Sequence, residues 1–576
     1  MPGKLNEYRR ADAALPDRYR LWPLYGAGFE NLGRDGEPIE VPMPECGPDE
    51  LLVRHDACSI CFSDYKVLRA GQAHPRIYRD MKARPVVLGH EVTLTVVRVG
   101  EALRDGYSIG DRFIVQADIY VNGVNLAYGY EIQGGQSQYS VIDRRVLDGD
   151  DGNYLIPVQP GTGYAESALT EPWTCVLTAY RLNYRARMKP GGTAWIIGTD
   201  AGGESAYTIG SGFEEGSHPD RLLLTDVPAD FARSLKSRAE TLGIQVAEVD
   251  DVTSPPVQQV DDIVLLGPDP GLIESASPYL AEFGVFAIIA HQPLARKVEL
   301  DVGRIHYNRW LYVGGPGPDV AQAYVNSAQS ATGPARSTLK PGGRAWFVGA
   351  GGPMGRLHVQ RAIEIPDGPR AILCTARSND RLPVVESIYR ADAEAKGIRF
   401  DCTSLADEDY QETLDEVGRG MFDDIVVLAP SAAAIEEAAE YLAPRGVMNI
   451  FAGVRRGTKA RLDLSDVYLK GKRFIGHSGL TTENMRIALE QVETGEFSAN
   501  RLAAAVGSLG AFRAGLRAVK DGEFSGKVVI FPHIKELPLT PLPDLRDKLP
   551  GVYAKLKNGR EWTKEAEDEF LRLMLV

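Results

Sequence analysis

Three short pieces of the chain hold side chains suited to bind a metal: Cys58-Ser59-Ile60-Cys61-Phe62-Ser63-Asp64, Gly89-His90-Glu91 and Glu171-Pro172. A thiolate, an imidazole and one or two carboxylates are the donor types of a catalytic zinc, which keeps one position open for water or substrate. Cys58 and Cys61 alone would also suit a redox dithiol or half of a structural zinc site. The chain has no second C-x-x-C and no βαβ pattern beside this one, so Cys58 is read as a buried, inert thiol. Cys175 stands four residues past Glu171, one turn on if the segment is helical, and packs in or lines the same pocket.

Two glycine-rich turns suggest a second chemistry. Gly349-Ala350-Gly351-Gly352-Pro353-Met354-Gly355 follows an apolar, strand-like run and precedes a helical pattern. In that context glycines let the backbone approach a pyrophosphate seated on a helix N-terminus. After the next strand-like run, Ala371 to Thr375, stand Ala376, Arg377 and Ser378. With no carboxylate there and Arg377 able to pair with a 2′-phosphate, this turn leans toward NADP. The earlier turn, Gly198-Thr199-Asp200-Ala201-Gly202-Gly203-Glu204, puts two carboxylates where a pyrophosphate would lie, and like charges there oppose binding. Yet Asp226, just past Leu222-Leu223-Leu224-Thr225, is the ribose ligand expected of an NAD site. The residues leave open whether this turn binds a cofactor or belongs to a degenerate copy kept for packing.

These turns sit in a repeat. Lys189-Pro190-Gly191-Gly192 to Gly198 recurs as Lys340-Pro341-Gly342-Gly343 to Gly349, an offset of 151 residues (189 to 340). Asp261-Asp262-Ile263-Val264 recurs as Asp423-Asp424-Ile425-Val426, an offset of 162 residues (261 to 423), with Tyr279-Leu280-Ala281 matching Tyr441-Leu442-Ala443. Two matched blocks in the same order indicate a duplicated domain. Within each copy short apolar runs alternate with helical patterns such as Phe231 to Leu242, the signature of parallel βαβ units. The stretch Ser330 to Ser337 reads as a linker, and residues 21 to 142 read as β-rich. The tail from Trp562 to Leu575 patterns as an amphipathic helix.

Composition bounds the rest. The 576 residues are too many for one core; 44% hydrophobic and 25% charged residues are globular values, against disordered, collagenous and membrane classes. A net charge of -14 with no segregated basic patch argues against nucleic acid and membrane partners. Six scattered cysteines and a charged first twenty residues without an apolar run lead us to expect a reducing, cytoplasmic setting.

Taken together, Cys61-x-Ser63-Asp64, Gly89-His90-Glu91, Gly110-Asp111-Arg112, Gly134-Gly135-Gln136-Ser137-Gln138-Tyr139 and Gly526-Lys527-Val528 resemble the medium-chain dehydrogenase/reductase superfamily, specifically its zinc-dependent alcohol and polyol dehydrogenases. The wording around Cys58 to Lys66 is most similar to sugar and sugar-phosphate members of the sorbose-1-phosphate reductase type. The resemblance implies a GroES-like catalytic domain (1–187, completed by 498–576 with a terminal helix) interrupted by two tandem, doubly wound Rossmann-type domains (188–335 and 336–497). It implies that Cys61 and His90 bind zinc, with Glu171 and Glu91 ligating directly, through water or alternately. Ser63 would relay the alcohol proton, and Asp64 would hold His90 or pair with Lys527 as an outer contact. The superfamily's structural zinc needs four close cysteines between Gly100 and Glu131, which this chain lacks, so one zinc is expected.

The implied activity is hydride transfer between NAD or NADP and a secondary alcohol of a polyol, sugar or sugar phosphate. The nucleotide would lie on Gly349, Gly351, Gly352, Pro353, Met354, Gly355, Arg377 and Ser378, with Gly198 and Asp226 as the counterparts in the first copy. A sugar epimerase working through transient oxidation, and a non-catalytic binding protein that kept the fold, remain as alternatives. A homo-oligomer, dimer or tetramer, is expected. Arg69, Arg76, Arg79, Lys82 and Arg84 precede His90 and read either as a phosphate grip or as a solvated charged loop.

Overall fold

The computed structural model describes residues 2–181, 185–200, 206–330, 333–334, 338–377, 380–477 and 479–576. The chain divides into two compact units, Met1–Leu177 with Gly352–Leu357 and Gly479–Val576, and Thr178–Gly351 with His358–Ser478. Ser378, Ala201 to Glu204 and most of the expected linker after Ser330 lie outside the described residues.

The first unit is organised by β1 (Leu51–Ser59), whose nine residues are all buried. Helix α1 (Phe62–Ala70) follows at once, and β2 (Glu91–Val99) pairs antiparallel with β1, Ser59 opposite Glu91 and Cys58 opposite Val92. Strand Lys527–Phe531, from near the chain's end, adds to the other edge of β1, with Val529 opposite Ser59. These strands belong to an eight-stranded sheet with separate apolar clusters on its two faces, Leu51, Val53 and Val96 on one and Leu52, Val97 and Tyr139 on the other. Two helices, α2 (Tyr164–Ala168) and α3 (Thr170–Thr178), follow the sheet. The first is capped from a distance: Glu567, on helix Lys564–Met574, accepts hydrogen bonds from the Tyr164 and Ala165 N–H groups at 2.6 and 2.8 Å. Helix Thr482–Glu493, which sequence patterning attaches to the second copy, packs in this unit instead. Its Met485 and Leu489 are buried against Ile114, Ile156 and Val158, an apolar stripe that needs a surface of its own to cover it.

The second unit holds two six-stranded, wholly parallel sheets, each in the order 3-2-1-4-5-6 of a doubly wound fold. The first sheet starts from β3 (Thr193–Gly198) and ends at edge strand β5 (Leu311–Gly315), with the short strand β4 (Val298–Asp301) outside it. The second starts from β6 (Arg344–Val348) and ends at edge strand β9 (Arg473–Ile475). Between these lie α4 (Pro353–Glu364), β7 (Ala371–Ala376) and the outlying strand β8 (Lys459–Leu462).

The duplication extends to details no composition would require. Trp195 and Trp346 each donate through the indole N–H to a threonine on the neighbouring strand, Thr225 and Thr375, both at 2.9 Å. Both copies carry a register shift at equivalent places, Val260/Asp262 and Phe422/Asp424. Phe283 and Arg445, also equivalent, share a positive φ of about 60°. One difference is large: α4 follows β6, whereas residues 206–220, between β3 and strand Arg221–Thr225, form no α-helix. Tyr207, Ile209 and Phe213 from that segment pack on Ile196, Leu222 and Leu224 instead.

Candidate active site

Strand register brings the metal-type residues together. Cys61 is the N-cap of α1, and the Asp64 carboxylate accepts the Cys61 N–H at 2.9 Å, tying the thiol to the helix start. His90 stands just before β2 and Glu91 on its first position. The Cys61 Sγ and ligand atoms of His90 and Glu91 all lie within 4.8 Å of one another, the group with metal-holding geometry among the described residues. Gly89 makes the approach possible. Its φ is +103°, and a Cβ there would sit 2.7 Å from Cys58 Sγ, which is why Cys58 is the buried, packed thiol of the pair.

The outer contacts are specific. His90 Nε2 is 3.3 Å from Ser63 Oγ, while Nδ1 is 3.5 Å from Asp64 Oδ1 and makes no closer hydrogen bond. Asp64, of the two roles expected for it, therefore backs His90. Lys527 pairs with Glu91 Oε1, and the Ser59 hydroxyl donates to Glu91 Oε2. Both oxygens of Glu91 are thus engaged, leaving it less free to ligate than Cys61 or His90. Burial works against charging the His90 imidazole, but hydrogen bonding and charge from Asp64 and Cys61 hold its pKa well above the usual value. A ligand in this state releases a proton when it binds a metal.

Glu171, on α3, is buried near this group but outside the 4.8 Å cluster. Burial lifts its carboxyl to about 7, His90 opposing and Glu91 reinforcing the rise. Cys175 Sγ lies 3.9 Å from Glu171 Oε1, and burial first, then Glu171, pushes its thiol up. Its place is beside the cluster, as a packed neutral group.

Residues 47–151 match the family described as the alcohol dehydrogenase GroES-like domain. The chain is 28% identical over 330 residues to mannitol-1-phosphate 5-dehydrogenase of Aliivibrio fischeri, covering 52% of this chain and 77% of that one. It is 21% identical over 530 residues to L-sorbose 1-phosphate reductase of Klebsiella pneumoniae, covering 91% and 92%. In fold it is similar to 2R,3R-butanediol dehydrogenase from Bacillus subtilis, with TM-score 0.51, 14% identity, and coverage of 89% of this chain and 99% of that one. Along most of its length the chain is similar to members of the medium-chain dehydrogenase/reductase superfamily. It is an alcohol-type oxidoreductase, an NAD(P)-dependent dehydrogenase-like enzyme. The donor set fits zinc: a thiol, an imidazole and one carboxylate around one point, with an orphaned imidazole nitrogen backed by Asp64.

In the second copy the glycine-rich turn lies between β6 and α4. Gly349 leaves β6 with φ +91°, and the Gly349 and Ala350 N–H groups are both taken by Thr375 O, at 2.8 and 2.9 Å. Pro353 and Met354 open α4, with Gly355 in its first turn. Arg377 is exposed just past β7. Arg381, not singled out in the sequence, packs under the turn: a Cβ on Gly351 would lie 3.2 Å from Arg381 Cβ and 3.9 Å from Ala376 Cβ. No local signal marks Arg381, because its place beside Gly351 is a tertiary contact. Ser59 was also missed, although strand alternation from Cys61 would have put it on the same side. In the first copy Gly198 sits against the Asp226 backbone, which has φ +49°. Thr199 Oγ donates to Leu266 O at 2.8 Å, closing the space between the first and fourth strands where a doubly wound fold takes its ligand.

Two of the basic residues considered as a phosphate grip are already paired, Arg76 with Asp118 at 2.7 Å and Arg79 with Glu131 at 3.2 Å. Among the described residues no helix is long and apolar enough to cross a membrane.

Proposed function

We propose that the protein oxidises a secondary alcohol of a polyol, sugar or sugar phosphate, reversibly, with zinc held by Cys61 and His90 and completed by Glu171 or Glu91. The observation that carries this reading is the convergence of Cys61, His90 and Glu91 within 4.8 Å, with Ser63 Oγ 3.3 Å from His90 Nε2. The relatives' names, a mannitol-1-phosphate dehydrogenase and a sorbose-1-phosphate reductase, support a polyol or sugar phosphate over a simple alcohol.

When bound, zinc supplies a Lewis acid for the alcohol oxygen and the nicotinamide a hydride acceptor. The chain's own residues do the rest. Ser63 takes the alcohol proton at Oγ and passes it outward, so that alcohol and oxidised nucleotide give ketone, reduced nucleotide and one proton. Asp64 fixes the His90 ring from its Nδ1 side. Lys527 compensates Glu91 in the buried site, where an unpaired carboxylate would be costly. Glu171, ionising near 7, changes charge close to neutral pH beside these groups. In this reading the metal is held by the N-terminal part (1–187) with the C-terminal part (498–576) completing it, and the nucleotide by the copy spanning 336–497. Arg377 and Arg381 favour NADP by pairing with its 2′-phosphate.

The test is Cys61→Ser in the full chain. Zinc content by mass spectrometry should fall from one equivalent to near zero and alcohol oxidation should be lost, with circular dichroism unchanged. A variant that keeps zinc and activity would sink the assignment. Turnover of a sugar with no change at 340 nm and no added nucleotide would instead support the epimerase.

A further inference from the structure

The two copies meet about a pseudo-twofold axis. Strands β4 and β8 pair antiparallel, Val298 with Leu462, Glu299 with Arg461 and Leu300 with Ala460. Under the 162-residue offset Val298 is equivalent to Ala460 and Leu300 to Leu462, so the first and third pairs exchange and Glu299/Arg461 lies on the axis. The environment obeys the same exchange. Glu299 N–H donates to Glu274 at 2.8 Å and Arg461 N–H to Glu436 at 2.9 Å, all equivalent positions. His306 of the first copy bonds Ile450 O at 3.1 Å and the equivalent Tyr468 donates to Gln292 O at 2.7 Å, so each reaches into the other copy, though to carbonyls that do not match under the offset. A Cβ on Gly476 of the second copy would meet His306 Cα at 2.6 Å; on the equivalent Gly314 it would meet Tyr468 Cβ at 2.6 Å.

Residue i touching j while j touches i is the rule of an isologous dimer interface, here inside one chain. The join is not a loose contact. One buried apolar cluster runs through both copies, from Trp195, Phe286 and Tyr312 to Trp346, Met448 and Phe474, the character of an obligate interface. In the first copy, meanwhile, residues 206–213, which match most of α4 under the 151-residue offset, form no helix, and Thr199 bridges the crevice.

We propose that the first copy is a built-in partner subunit. It fills, within each chain, the place that a second copy of the nucleotide-bearing module would take in a two-chain assembly, and holds no nucleotide itself. Any association between whole chains then uses other surfaces. This inference does not depend on the reaction proposed above.

The axis supplies the test, because Glu299 and Arg461 are directly opposite and exposed. The full-length Glu299→Cys/Arg461→Cys double variant, oxidised with copper phenanthroline, should cross-link at monomer mass at every protein concentration. Peptide mapping should join residues 299 and 461. Covalent dimers of the double variant, or a folded protein with no 299–461 link, would overturn the proposal. Glu299→Cys or Arg461→Cys alone should give no covalent dimer; a dimer from either would mean that modules of two chains meet on this axis, and would overturn it too. Fluorescence titration of the unmodified protein with NADPH should saturate at one equivalent per chain. Two equivalents would refute the nucleotide-free first copy, and none would refute the proposed function while leaving the cross-links to decide this point.

Discussion

Glu166 offers a quantitative check on the carboxylates around α2. Burial, reinforced by Glu567, raises its carboxyl from 4.5 to about 7, while hydrogen bonds from the Gly163 backbone and the Asn500 side chain oppose the rise. A folded-state pKa above the unfolded one means that the folded protein holds this proton more tightly. Stability is then fully present below pH 4.5 and declines as pH rises toward 7. The span from 4.5 to about 7, at about 1.36 kcal/mol per pH unit, comes to about 3 kcal/mol above pH 7. Glu166→Gln removes that penalty. It also offers an amide N–H to Asn500 Oδ1, which is buried without a partner, adding ~1 kcal/mol independent of pH. Urea unfolding at pH 5 and pH 8 should therefore show the variant more stable at both, with the gain larger at pH 8 by about 2 kcal/mol. An equal gain at the two pH values, or none at pH 8, would refute the reasoning.

Other perturbations bear on the site itself. Lys527→Met should destabilise the protein by about 3–5 kcal/mol, because it strands the buried Glu91 carboxylate; denaturant titration should show Glu91→Gln in that background recovering much of the loss. Ser63→Ala should lower kcat by roughly 100-fold or more with zinc content unchanged, and a variant at full rate would remove Ser63 from the proton path. Arg381→Ala combined with Arg377→Ala should raise the KM for NADPH at least about tenfold, since each charge-assisted bond contributes roughly 1.5–3 kcal/mol. The KM for NADH should hold, and equal effects on both nucleotides would argue against a 2′-phosphate contact.

Much of this was legible in the sequence because it is local or repeated. Cys61, Ser63 and Asp64 are fixed by one helix start, and His90-Glu91 by one strand start, so short motifs define both halves of the metal cluster. The duplication is a matter of pattern, and parallel sheets read as buried apolar runs wherever they occur. The partners of these groups were decided only by tertiary structure. Lys527 goes to Glu91 and not to Asp64 because strand Lys527–Phe531 joins the edge of β1 opposite β2, a register that no residue near Lys527 specifies. Glu567 caps α2 from the far end of the chain, and helix Thr482–Glu493 leaves the second copy for the first unit. The first copy's role is the clearest case. Its sequence carries both Asp226, which favours a cofactor, and an acidic turn, which opposes one, and composition cannot weigh them. The non-helical path of residues 206–220 and the exchange of contacts across β4 and β8 do, because a pyrophosphate site and a twofold interface are properties of arrangement.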